Sequence, residues 1–150
     1  MHVKIKLKAG SLTCFDNFVS TLHSKLGIIS HSDVDGFVSA FLAYKFFSKR
    51  CKVYWPIFLD YLGFDLAIRK LIKASHLAIL DIGFDKPELY NSHHNFLIID
   101  HHPFKHDLNS SHVCFIKTRT ETPASLTCYG LFARHDSSIK QYDWLVALAI

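Results

Sequence analysis

Short apolar runs alternate with amphipathic stretches along this chain. Residues 26–30, 77–81 and 96–100 are apolar runs of strand length that end in Ser30, Asp81 and Asp100. Runs that are apolar on both faces belong to buried strands of a parallel sheet. Residues 51–58 and 112–117 read as further strands, and the apolar–basic alternation of residues 1–8 has the period of a strand with one wet face. The intervening segments have helical periodicity. Residues 11–26 form one such segment, with Ser11 as its cap and Phe15, Phe18, Val19 and Leu22 at helical spacing. Residues 37–49 form a second, with Phe37, Ala40, Phe41, Tyr44 and Phe47 making a broad apolar face. Helices are also expected over 64–74, briefly over 87–91, over 123–134 with Thr122 as cap and Pro123 in the first turn, and from about Ile139 onward. Strand and helix in this rhythm define an α/β fold, a parallel sheet flanked by helices on both faces.

In such sheets the chemistry lies at the carboxyl ends of the strands. The segment after Ser30 is His31-Ser32-Asp33-Val34-Asp35-Gly36, the second run ends in Asp81, and the third ends in Asp100-His101-His102-Pro103. His31, Asp33 and Asp35 stand at alternate positions, so in extended backbone all three face one spot. Gly36 allows a close turn into the next helix, whose N-terminus favours an anion. Carboxylates crowded into one crevice repel each other, and divalent cations relieve that repulsion. Mixed carboxylate and imidazole donors suit Mn²⁺, and with fewer nitrogens Mg²⁺. Two ions roughly 3.5–4 Å apart activate a water and clamp the attacking and leaving oxygens. By contrast, His93-His94 falls in a polar stretch and is expected at the surface.

Composition narrows the class. The chain has 150 residues, the size of one domain, and 13 Phe residues that make an aromatic core. No apolar run approaches a membrane span of roughly 18 residues, and the N-terminus lacks the continuous apolar core of a signal peptide. A cytoplasmic protein is expected. Cys14, Cys51, Cys114 and Cys128 are scattered without a C-x-x-C pair, so free and mostly buried thiols are expected. The net charge of +4 is mildly basic and compatible with an anionic substrate.

His31-Ser32-Asp33-Val34-Asp35-Gly36, Leu80-Asp81-Ile82-Gly83 and Asp100-His101-His102-Pro103 resemble, in order, the first three motifs of the DHH phosphoesterases. The resemblance covers residues 27–150 and implies a DHH domain over 1–150. It implies that His31 and Asp33 bind one metal ion, Asp35 and His101 the other, and that Asp81 bridges the two. His102 then contacts the substrate phosphate, and Asp100 orients the neighbouring histidines. The family's fourth motif is an Asp after a helix that here corresponds to residues 142–150, and no acidic residue follows. The family's smaller glycine-rich substrate-binding domain is not matched either. The expectation is a domain cut short before that motif, or a split enzyme whose C-terminal half is a separate chain.

The local wording is most similar to archaeal RecJ-like nucleases. It implies a Mn²⁺-dependent exonuclease with single-stranded DNA or RNA, or short oligonucleotides, as partner. Alternatives within the family are an oligoribonuclease, a cyclic-dinucleotide phosphodiesterase and a pyrophosphatase. The alternative from another class is an inactive scaffold that binds replication or repair proteins.

Overall fold

The computed structural model describes residues 5–150. Its six strands are β1 (Lys25–His31), β2 (Lys52–Val53), β3 (Ile57–Leu59), β4 (His76–Leu80), β5 (Asn95–Asp100) and β6 (Val113–Lys117). All pair in parallel, in the order β2-β1-β4-β5-β6, with β3 also on β1 beyond β2. The five helices are α1 (Leu12–Ser20), α2 (Val34–Phe47), α3 (Phe64–Lys70), α4 (Ala124–His135) and α5 (Asp143–Ala147). Two 3-10 turns, Pro87–Tyr90 and Ser137–Tyr142, complete the framework.

The sheet is covered on both faces. On one, Leu26, Ile28, Ala78, Leu97 and Ile99 pack beneath α1, α2 and α4, whose Phe15, Phe46, Phe47 and Phe132 form a fully buried aromatic cluster. On the other, Ile29, Ile79, Phe96, Ile98 and Phe115 meet α3 and the turn carrying Tyr90. Burying a side chain of this size contributes about 1.5–3 kcal/mol before chain entropy is subtracted, so the aromatic cluster is a main anchor of the fold. No helix among the described residues is long and apolar enough to cross a membrane.

Several local expectations are corrected. The first helix ends at Ser20, not at residue 26, because β1 claims Leu26 for the sheet. The apolar face expected over Phe37, Ala40, Phe41, Tyr44 and Phe47 is only partly inward. α2 buries Ala40 and Phe47 as expected, adds Val38, Leu42, Ala43 and Phe46, and leaves Phe37 half-exposed and stacked on Phe58. The strand expected over 51–58 is two short strands interrupted around Trp55-Pro56, where Pro56 has no N–H to offer a ladder. The helix over 64–74 stops at Lys70, although Leu71 and Ala74 remain in the core. The N-terminal strand falls partly outside the described residues, and what is described shows only an antiparallel bridge of Ala9 to Lys117. Cys14 and Cys114 are not free thiols but form a disulfide between α1 and β6 across a sequence separation of 100 residues. Cys51 and Cys128 stay free. His94 is buried, with Nδ1 2.7 Å from the Ala74 carbonyl, and only His93 of that pair is exposed.

Candidate metal centre

The carboxyl ends of β1, β4 and β5 bring the expected residues into one crevice. Ser30 closes the floor, its buried hydroxyl reaching the Gly36 carbonyl at 2.8 Å and the Leu80 carbonyl at 3.0 Å. This ties the turn after β1 to the end of β4. A Cβ on Gly36 would stand 2.1 Å from the His31 carbonyl, so only glycine permits this turn. Asp33 then caps α2, accepting the Gly36 N–H at 2.8 Å on one oxygen and facing His31 Nδ1 at 2.8 Å with the other. Burial alone would push the Asp33 carboxyl up, but the Gly36 N–H and His31 outweigh it and the net shift is downward.

Asp35 does not continue an extended segment, because α2 begins at Val34. Its carboxylate turns instead to the start of α4, accepting the Ala124 N–H on Oδ2 and the Ser125 N–H on Oδ1, each at 2.8 Å. These are orphan donors of a helix N-terminus, where a carboxylate is favoured. Thr122 therefore is not the cap; Pro123 holds that position without a side-chain bond. His101 Nε2 lies 3.7 Å from Asp35 Oδ2, so Asp35 belongs with His101, and His31 and Asp33 stand together.

Asp81 lies between these pairs. It follows β4 directly, is fully buried, and has φ of +60°, in the left-handed region that non-glycine residues rarely occupy. Such backbone persists where the surroundings over-determine it, and it clusters at functional sites. Its amide donates to the Ile99 carbonyl at 2.9 Å. Neither carboxylate oxygen has a hydrogen-bond partner among the described residues. His101 Nε2 is 3.3 Å from Oδ1 but is not aligned for a hydrogen bond, and His31 Nδ1 is 3.8 Å from Oδ2. Burial first, then the carboxylates of Asp35, Asp33 and Asp100, push the Asp81 carboxyl up to about 7, against the opposing pull of His101. A buried carboxylate with two bare oxygens is costly unless a cation or a proton answers it.

The third motif supplies the other wall. Asp100 is fully buried and saturated: Oδ2 accepts the Gly83 N–H at 2.6 Å, and Oδ1 accepts the His102 N–H at 2.7 Å and His102 Nδ1 at 2.8 Å. The contact with Asp100 raises the His102 pKa. Asp100 thus orients His102 but not His101. His101 Nδ1 points to the Thr120 carbonyl at 2.6 Å, which leaves Nε2 facing Asp81 and Asp35. Fixing one imidazole nitrogen so that the other faces a metal is a recurrent arrangement. Contact with Asp81 raises the His101 pKa to about 9. Two groups, His31-Asp33-Asp81 and Asp81-His101-His102, bring donor atoms within 4.8 Å of one another, sharing Asp81. The oxygen-plus-imidazole donor set fits divalent cations of the Mn²⁺ or Mg²⁺ type.

Sequence reasoning missed Tyr61 and Thr120. Tyr61 has φ of +59° and lays its ring 5.0 Å from that of His31, at the mouth of the crevice. Thr120 acts through its backbone carbonyl, which no side-chain pattern marks.

Parallel strands that end in a shared carboxylate between two imidazole-bearing walls make an α/β domain with a candidate metal centre at the carboxyl ends of its strands. The N-terminal domain of the DHH family matches residues 25–150, and the chain belongs to that family. No curated protein sequence matches it. Among solved structures, the chain is similar to an exonuclease RecJ bound to manganese, at 13% identity and a TM-score of 0.65 over 92% of this chain and 40% of that one. It is similar to RecJ in complex with Mn²⁺ from Thermus thermophilus, at 12% identity and a TM-score of 0.67 over 93% of this chain and 22% of that one. It is also similar to CDC45 from Entamoeba histolytica, at 16% identity and a TM-score of 0.69 over 87% of this chain and 32% of that one. These likenesses concern the fold, and the chain spans well under half the length of each of these proteins.

Proposed function

We propose that the chain is the metal-binding part of a two-metal-ion phosphoesterase that hydrolyses phosphodiester bonds in single-stranded nucleic acid. The observation that carries this reading is Asp81, a fully buried carboxylate with two bare oxygens between two imidazole-bearing walls. His31 and Asp33 would hold one ion on one side, Asp35 and His101 a second on the other, and Asp81 would serve both. Such ions supply Lewis-acid stabilisation of the phosphoryl oxygens and activation of the attacking water. His102, held by Asp100 and with its pKa raised, would face a phosphate oxygen and favour the charge that develops there. Manganese in the RecJ structures of similar fold supports Mn²⁺ as the ion, and the exonuclease activity named for one of them supports nucleic acid as the substrate.

An inactive scaffold of the same fold has no need of a strained, unsatisfied carboxylate. Retaining one at a cost to stability favours the enzyme. The test is Mn²⁺-dependent cleavage of 5′- and 3′-end-labelled single-stranded DNA and RNA by the whole protein. Product ladders that vanish on chelation support the reading. Absence of both cleavage and Mn²⁺ binding overturns it.

A further inference from the structure

Beside the metal centre, on the far side of His101, the end of β6 and the segment after it line an open cleft of about 490 Å³. Lys8, Lys117 and Arg119 bring three cations to it, and Glu121 brings one carboxylate. Glu121 pairs with Arg119 at 3.6 Å, and both side chains are largely exposed. Lys117 has no ion pair among the described residues. Its ammonium donates to the carbonyls of His101 at 3.2 Å and Thr118 at 3.1 Å. Asp100 is its neighbour across the strand register, but Gly83 and His102 already take that carboxylate. Lys8 is held close by the backbone, its amide donating to the Lys117 carbonyl at 2.6 Å, and its side chain also makes no ion pair among the described residues. Three cations against one carboxylate leave the cleft net positive, which favours an anion.

The position of the cleft says which anion. Thr120, which lines it, also fixes His101 through its carbonyl, and Lys117 touches the His101 carbonyl. The cleft therefore begins where the candidate metal ligands end. We propose that it is a second phosphate subsite, taking the phosphate next to the scissile one in a polyanionic substrate. That phosphate belongs to an oligonucleotide or to an inorganic polyphosphate. The inference rests on reading the metal centre as a phosphoesterase site, and it deepens that reading: the enzyme acts on chains of phosphates, not on isolated phosphate esters.

The test is binding of labelled oligothymidylate and of inorganic polyphosphate by the whole protein across a salt series. The variants are Lys8→Gln with Arg119→Gln, and Lys8→Arg as the charge-preserving control. Lys117 is left alone because it touches His101. Each phosphate neutralised on a single strand contributes roughly 0.7 to the slope of log affinity against log salt, so losing the one phosphate held in this cleft lowers it by about 0.7 and weakens binding at 0.1 M salt on the order of 5-fold. The control should keep the wild-type slope. A loss for oligothymidylate alone identifies nucleic acid as the source of the phosphate, a loss for polyphosphate alone identifies polyphosphate, and a loss for both shows a subsite that reads phosphate only. An unchanged slope in the double variant, or no binding of either polyanion by the wild type, overturns the subsite. The Mn²⁺-induced thermal shift is read on the same samples. A normal shift with an unchanged slope removes the subsite alone. A lowered slope with no Mn²⁺ shift removes the phosphoesterase reading, and with it the link between this cleft and hydrolysis.

Discussion

β4 carries a buried ionisable residue at each end, and the two are treated in opposite ways. At its start, His76 is 1% exposed and fully partnered: Nε2 lies 3.1 Å from the Thr21 hydroxyl and Nδ1 2.8 Å from the Ser75 hydroxyl. The Thr21 hydroxyl donates to the Phe18 carbonyl, so it accepts from Nε2. With the Ser75 hydroxyl donating to Nδ1 rather than to the more distant Lys25 carbonyl at 3.3 Å, a neutral imidazole satisfies this pattern, and burial, then the neighbouring His23, lowers the His76 pKa accordingly. Just past the other end, Asp81 is equally buried, yet both its oxygens are bare and its backbone is left-handed. A polar group that is buried and satisfied is part of the structure. One that is buried, charged and unsatisfied, among further carboxylates, is waiting for a ligand.

The largest effect should follow from changing that ligand-seeking group. Asp81→Asn should abolish hydrolysis and remove the Mn²⁺-induced thermal shift. At a free-ion concentration of about 100 times Kd, that shift in the wild type corresponds to roughly 2.7 kcal/mol. An undiminished shift in the variant would remove Asp81 from the site. The metal-free proteins give a second readout through pH. The folded pKa of Asp81 is about 7 against an ordinary 3.8, so the folded state keeps a proton that the unfolded chain releases. Stability therefore falls as pH rises from about 4 to 7. His101 is raised to about 9 from 6.5, and its contribution is present below 6.5 and lost as pH rises through 9. Without metal, the wild type should lose stability across both windows, by a total on the order of a few kcal/mol. Asp81→Asn should flatten the lower window. Its contact with Asp81 gone, His101 should lose part of the upper one. Melting curves from pH 4 to 9 measure both.

Asp35 sits between the two extremes, as a candidate ligand that also holds structure. Asp35→Ala leaves the Ala124 and Ser125 N–H groups without their acceptor and should cost about 2 kcal/mol, a drop of roughly 4–8 °C in Tm. It should also weaken Mn²⁺ binding. Asp35→Asn keeps one oxygen for the helix end, so it should recover part of the melting temperature but not the metal affinity. Equal recovery of both would mean that Asp35 serves only as a cap.

Asp35 also shows what could be read in the sequence and what could not. The apolar runs 26–30, 77–81 and 96–100 fall on β1, β4 and β5, and the residues at their ends share one crevice, because burial on both faces leaves a clear trace in composition. The partner of Asp35 left none: Ala124 and Ser125 offer backbone N–H groups from 89 and 90 residues away. The same holds for the Thr120 carbonyl on His101 and for the Cys14–Cys114 disulfide. Contacts through backbone atoms, or between residues distant in sequence with no fixed spacing, come from the packing of elements. A pattern along one chain does not encode them. The Thr122 cap failed for this reason, since a local rule was applied to a helix whose cap arrives from α2.

The smallest effect should come from the satisfied end of β4. Thr21→Val removes the acceptor of His76 Nε2 with almost no change in side-chain volume, leaving a buried imidazole N–H alone. The cost should be about 1 kcal/mol, or roughly 2–4 °C in Tm. The Mn²⁺-induced shift should match the wild type, because the intervening strand is buried on both faces and keeps its register with β1 and β5. A destabilised Thr21→Val protein with full Mn²⁺ response, beside an Asp81→Asn protein with none, would separate the two ends by experiment as geometry separates them here. If Thr21→Val also lost its Mn²⁺ response, the two ends would be coupled through β4, and the division between a structural end and a functional end would fail.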